Sequence, residues 1–160
     1  MSDLGDAMGT GWLPDYPDFR DYSVERDRVS DKLQEAGQAV SISGMLTQVG
    51  VGEGQAPQLA PSTDLREWCP TVENQGSLGS CTAQAGVGLV EYFERRAFGK
   101  RVDASGLFLC KVTRNLMHLA GDTGAYLRST MAALVLFGVP PEEHWPYAIG
   151  QFDVEPPAFG

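Results

Sequence analysis

The stretch ENQGSLGSCTAQAG, Glu73 to Gly86, decides how the rest of the chain is read. It sets one cysteine directly after Gly79-Ser80, where a helical period begins. Ala83, Gly86, Val90, Phe93 and Ala97 recur at spacings of three and four, and Gly99 is placed to end the helix. Cys81 therefore opens a helix, with Ser80 as its N-cap. Unpaired N–H groups and the helix dipole favour a thiolate there. Gly76 and Gly79 let the preceding loop fold back tightly, so that Gln75 aims its amide near the thiol, beside the Cys81 backbone N–H. Two donors converging on one point describe an oxyanion hole. The plainer reading is a buried thiol at a helix start, since free cysteine is among the most buried residue types.

Outward from this segment the chain divides into three zones. Residues 1–23 (ending GWLPDYPDFRDYS) are rich in Gly, Pro, Asp and aromatics, which suits an extended arm whose Trp12, Leu13, Tyr16, Phe19 and Tyr22 need a surface to pack on. Val29, Leu33, Ala36 and Val40 suggest a short amphipathic helix, and residues 48–62 have the Gly/Pro chemistry of a linker. After the Cys81 helix, Leu107, Cys110, Leu116 and Met117 predict a second helix between Ser105 and Leu119. A third follows the Gly121–Gly124 turn, with Tyr126, Leu127, Thr130, Leu134 and Phe137 as buried candidates. Gly138 ends it, and Pro140-Pro141 forbids continuation.

Composition bounds the function. The chain has 160 residues and 42% hydrophobic content, enough for one ordinary domain. A net charge of −9, from 21 acidic and 12 basic residues, disfavours nucleic acid and anionic membrane surfaces as partners. The N-terminus carries no signal-peptide pattern, and no apolar run reaches transmembrane length, so a cytoplasmic protein is expected. Cys69, Cys81 and Cys110 show neither CxxC spacing nor an even count, so neither a disulfide framework nor a metal site is indicated.

The motif around Cys81 resembles the active-site loop of papain-like cysteine peptidases, and the resemblance extends beyond it. Thr63-Asp64-Leu65-Arg66 leads in, the long helix and the Gly124-Ala125-Tyr126 turn follow, and Gly138-Val139-Pro140 with Trp145-Pro146-Tyr147 are similar to a later family stretch. The likeness covers Thr63 to about Phe152. It implies an α+β papain-like fold, of which this chain supplies the mainly helical lobe behind a long N-terminal arm. By resemblance Cys81 is the nucleophile and Gln75 the oxyanion side chain. Gly79 and Ser80 flank the site, Gly124 and Ala125 pair with substrate backbone, and Tyr126 helps form a side-chain pocket. No cofactor is implied, because thiolate chemistry needs none.

Two departures stand out. Leu78 and Asp122 occupy positions where the family usually has a disulfide pair, in keeping with a reducing compartment. Thr82 replaces the usual tryptophan, as in the GSCTA variant of bacterial and archaeal members. The larger departure is the missing base. The family's His and Asn lie about 130–150 residues beyond the nucleophile, whereas this chain ends at Gly160. His118, near a helix end, and His144, in the PPEEHWPY loop, are at neither position. The expected arrangement is thus residues 1–62 as arm, linker or prosegment and residues 63–160 as the helical half, with the C-terminal β lobe absent. The sequence favours an arm covering apolar surface, because nothing like a long helical prosegment is present.

The function expected from this reading is thiol-dependent peptide-bond hydrolysis, inactive without the His/Asn lobe. The partners are a peptide or protein substrate and a second lobe, supplied as another chain or a homodimer partner, which would cover an exposed apolar face. The alternatives are a non-catalytic peptide-binding or assembly module, and a ligase or transpeptidase using the same thiol.

Overall fold

The computed structural model describes residues 11–18, 21, 28–29, 31–35, 40–48, 50 and 60–158. They fall into two units: one holds the start of the chain to Asp15 together with Asp64 onward, the other Tyr16 to Thr63.

Three helices form the body of the larger unit: α3 (Cys81–Phe98), α4 (Gly106–Leu116) and α5 (Leu127–Phe137), each packed on the other two. α4 is the centre. Every residue from Gly106 to Arg114 is buried, so this helix is enclosed all round rather than on one face. Ser105 caps it by accepting a hydrogen bond from the Phe108 N–H (3.1 Å). Its Leu107 and Leu109 meet Ala83 and Val87 of α3 and Ala133 of α5 in one core. α3 ends where Gly99 turns left-handed (φ 66°), and α5 ends at Gly138.

Two charged side chains lie inside this centre. Arg114, with 1% exposure, donates to the carbonyls of Gly121 (2.6 Å) and Phe152 and to Asp153 (2.9 Å). Lys111 pairs with Glu155 (2.9 Å). These bonds fasten the chain's last described segment and the Gly121 turn onto α4, which is how a buried cation is tolerated.

A two-residue strand, β2 (Ala125–Tyr126), runs directly into α5. It pairs in parallel with β1 (Trp12–Leu13), Trp12 opposite Ala125 and Leu13 opposite Tyr126.

The smaller unit contains α1 (Asp31–Glu35) and α2 (Ile42–Gln48). Ser41 caps α2 by accepting from the Gly44 N–H (3.1 Å). The helix expected over Val29 to Val40 is helical only at residues 31–35, with 36–39 outside the described residues. α2 was not anticipated, because seven residues are too short to display a period.

Several burial expectations are corrected. Phe93 and Ala97, in line with the buried Ala83 and Gly86 but near the C-terminal end of α3, are exposed, and so are Leu127 and Phe137 of α5; Thr130 is buried as expected. Trp12 and Tyr16 keep 54% and 85% of their surface, so these arm aromatics do not bury as anticipated; Phe19 and Tyr22 lie outside the described residues. Among the described residues, no helix is long and apolar enough to cross a membrane.

Candidate active site

The segment from Asn74 to Ser80 folds as a tight loop onto the head of α3. Gly76 takes a left-handed turn (φ 61°), its N–H bonded to the Asn74 side chain (2.9 Å). The Gln75 amide then donates back to the Leu78 carbonyl (3.0 Å), so the side chain is held inside its own loop. Leu78, Gly79 and Ser80 are buried, and Cys81 is half-buried as the first residue of α3.

Ser80 occupies the N-cap position without capping through its side chain. Its hydroxyl lies instead 2.6 Å from the Tyr147 hydroxyl. The expectation of a Ser80 side-chain cap is thus corrected: the tertiary partner takes the oxygen.

Burial pushes the Cys81 thiol above its ordinary value, and the N–H groups of Thr82 and Cys81 pull it back only in part. Desolvation therefore outweighs the helix-start effect expected from the sequence. No imidazole is among the groups that shift this thiol. His118, just past α4 in a left-handed conformation (φ 56°), and His144, in a turn, are both exposed. Cys110 is buried in α4, and burial raises its thiol too; Cys69 is exposed.

The other wall of the site is the Gly121–Tyr126 segment. Asp122 reaches across to accept the Gly79 N–H (2.9 Å), joining the two loops at the place where the sequence reading noted a missing disulfide. Gly124 and Ala125 are buried, and Tyr126 is half-buried. The backbone that pairs with them is the chain's own. The Ala125 N–H donates to the Gly11 carbonyl (2.7 Å). Gly11 itself presses against Gly79, so closely that a Cβ there would sit 2.0 Å from the Gly79 carbonyl oxygen. A Cβ on Gly124 would meet the Gly11 oxygen at 2.2 Å. Both approaches demand glycine. Beyond them Asp15 accepts from the Arg128 N–H (3.4 Å) at the head of α5.

Beside the loop, Glu73, Glu91 and Asp103 offer carboxylate oxygens within 4.8 Å of one another. Glu91 is buried and accepts the Ala104 N–H (2.8 Å). Burial, then the charge of Asp103, raises the Glu73 carboxyl. These groups come from three separate segments, so no local sequence pattern announces them.

Neither a protein-family model nor a curated protein sequence matches the chain. Solved structures do. Xylellain, a cysteine protease from Xylella fastidiosa, is similar at 28% identity with a TM-score of 0.58, covering 88% of this chain and 44% of its own. A chain from work on the mite allergens Blo t 1 and Der p 1 is similar in fold, at 22% identity and a TM-score of 0.53, covering 61% of this chain and 33% of its own. The fold is papain-like. What this chain holds is its helical lobe, and it spans less than half the length of the solved structures it matches. Residues 63–160 are only about three fifths of the sequence, so the xylellain likeness takes in part of residues 1–62 as well.

Proposed function

We propose that this chain is the nucleophile-bearing half of a cysteine peptidase and acts once a second lobe supplies histidine. One observation carries the reading: the groove between the Cys81 loop and β2 (Ala125–Tyr126) seats a stretch of backbone, Gly11 in contact with Gly79 and Gly124 and Trp12–Leu13 paired with the strand. A groove that takes backbone by strand pairing beside a cysteine suits a peptide substrate.

In the reaction, the imidazole of the second lobe takes the Cys81 thiol proton, the sulfur bonds to the substrate carbonyl carbon, and the π electron pair moves to oxygen. We assign that oxyanion to the Gln75 amide and the Cys81 N–H. When the pair returns, the C–N bond breaks, and the imidazole of the second lobe gives its proton to the leaving amine. Water then releases the acyl group as a carboxylic acid and restores the thiol. The half-buried Cys81 thiol, raised by burial with no imidazole acting on it, supports a base that lies outside these residues.

On this reading a substrate would take the strand position that residues 11–13 hold, and these residues are a prosegment that substrate or processing displaces. Thr82 fits the GSCTA variant of bacterial members, in line with the bacterial source of xylellain. The Asp122–Gly79 hydrogen bond in place of a disulfide suits the reducing cytoplasm. The second lobe is assigned to the open face of α3, which begins at Cys81 and continues through Ala85 and Leu89, with Phe93 exposed further along the helix. A second reading, a peptide-binding module without turnover, is favoured by the raised thiol alone.

The test supplies the His/Asn half of a papain-like enzyme, fused or in trans, and follows hydrolysis of a fluorogenic peptide amide. Turnover is expected to vanish in Cys81→Ala and to drop about 100-fold in Gln75→Ala. A folded two-lobe assembly that alkylates at Cys81 yet never hydrolyses peptide favours the binding module.

A further inference from the structure

The segment from Glu142 to Gln151 touches the Cys81 loop from behind, and it comes ready braced. The Glu142 carboxylate accepts the Tyr147 backbone N–H. The Trp145 carbonyl accepts from the Ser105 hydroxyl (2.5 Å) at the head of α4, and the Glu142 N–H donates to the Asp103 carbonyl (2.7 Å). From this fixed turn Tyr147 points its hydroxyl into the loop, and Ile149 lies against Gly76.

The tyrosine oxygen lies 3.0 Å from the Gln75 carbonyl and 2.6 Å from the Ser80 hydroxyl. A carbonyl only accepts, so the single phenolic hydrogen goes to Gln75, and the Ser80 hydroxyl donates to the phenol. One oxygen thus joins the residue that carries the oxyanion amide to the residue whose peptide bond carries the Cys81 N–H. Those are the two oxyanion donors assigned above.

We infer that Tyr147 is a positioning residue: its hydroxyl fixes the separation of the two oxyanion donors by bonding the backbone at Gln75 and the side chain at Ser80. This rests on the peptidase reading of the site. The phenol touches no reacting atom; it sets where the donors stand. Preorganised donors act only when held within a fraction of an ångström of the developing charge. Removing the hydroxyl leaves the thiol and both donors chemically intact while loosening their spacing.

Two reagents acting on the same sulfur separate this role from a structural one. Iodoacetamide alkylates by displacement at an sp3 carbon and creates no oxyanion. A small N-acyl glycinal adds through its carbonyl and places an oxyanion in the hole. In the full chain, aldehyde affinity is read from protection of Cys81 against iodoacetamide, with the modified cysteine located by mass spectrometry. Tyr147→Phe is expected to weaken the aldehyde about tenfold while leaving the unprotected alkylation rate within about twofold. Ser80→Ala, which keeps the phenol-to-Gln75 bond, shifts it the same way by less, and it decides the matter if Tyr147→Phe does not fold.

If the aldehyde affinity is unchanged, or both reactions fall by the same factor, the positioning role is wrong. If the unmodified chain with the His/Asn half bound forms no aldehyde adduct at all while iodoacetamide reacts, the oxyanion hole itself fails, and with it the peptidase reading.

Discussion

The two faces of α3 carry similar residues and have opposite surroundings. On one side Thr82, Ala83, Gly86, Val87 and Glu91 are buried against the other helices. On the other, Leu89 keeps 49% of its surface, while Phe93, at 58%, is exposed further along the helix in line with Gly86. A helix that is apolar on both sides belongs between two layers. Only one layer is supplied by these residues, and the open face begins at Cys81.

The sharpest way to break the comparison is to place a charge on each face. Val87→Asp buries an unpaired carboxylate, with an expected cost of more than about 4 kcal/mol, read as loss of the folded baseline in urea or heat. Leu89→Asp, only two positions on, is expected to change stability by less than about 0.5 kcal/mol in the chain alone. Equal losses would mean that both faces are packed.

A smaller effect of unusual sign comes from Glu91. Burial first, then the charges of Glu73, Asp103 and Glu142, hold its carboxyl above the ordinary value, against the pull of the Ala104 N–H. Burial raises Glu142 likewise. A raised carboxyl holds its proton in the fold at pH values where the unfolded chain has lost it. Stability from these groups therefore rises as pH falls from neutrality through the raised values, and levels off below the ordinary carboxylate range. Glu91→Gln keeps an oxygen for Ala104 and deletes the charge, so it is expected to stabilise the chain by about 1 kcal/mol at neutral pH. It also flattens the dependence of Tm on acidification. A destabilised Glu91→Gln would show instead that the charge itself is needed on the packed face.

The smallest effect expected in the isolated chain is that of Phe93→Ser, below about 0.5 kcal/mol, although a far larger side chain is lost than at most core positions. Its consequence is expected in assembly: weaker capture of the second lobe, measured by titrating one half with the other. Undiminished capture would move the docking face elsewhere.

The contrast between the faces also explains what was legible in the sequence. Local signals read correctly: the helix start at Cys81, the left-handed stop at Gly99 and the end of α5 at Gly138 depend on a few consecutive residues. How far the packing runs along α3 was not legible: Ala83 and Gly86 of the apolar stripe are buried while Phe93 and Ala97 of the same stripe are exposed, because hydrophobic period reports that a face is apolar without naming its partner. Arg114, Tyr147 and Asp122 went without a structural role for a related reason. Their partners lie up to 72 positions away, and nothing in the adjacent sequence marks a polar side chain for the interior. Gly124 to Tyr126 reads in sequence as a turn, and neither the strand at Ala125–Tyr126 nor its pairing with Trp12–Leu13 was legible. Two glycines that allow two backbones to touch look, in sequence, like glycines in any turn.

The central claim is that Cys81 is a nucleophile whose base belongs to a second lobe. It is tested by the pH dependence of Cys81 alkylation, measured on the chain alone and again with the His/Asn half bound. Alone, burial holds the thiol up, so reaction should rise only above the ordinary thiol value of about 8.5. With the second half in place, a reactive thiolate should already be present near pH 6, at about the level of imidazole-paired cysteines. An unchanged profile on binding, or a thiolate near pH 6 in the chain alone, would contradict the account.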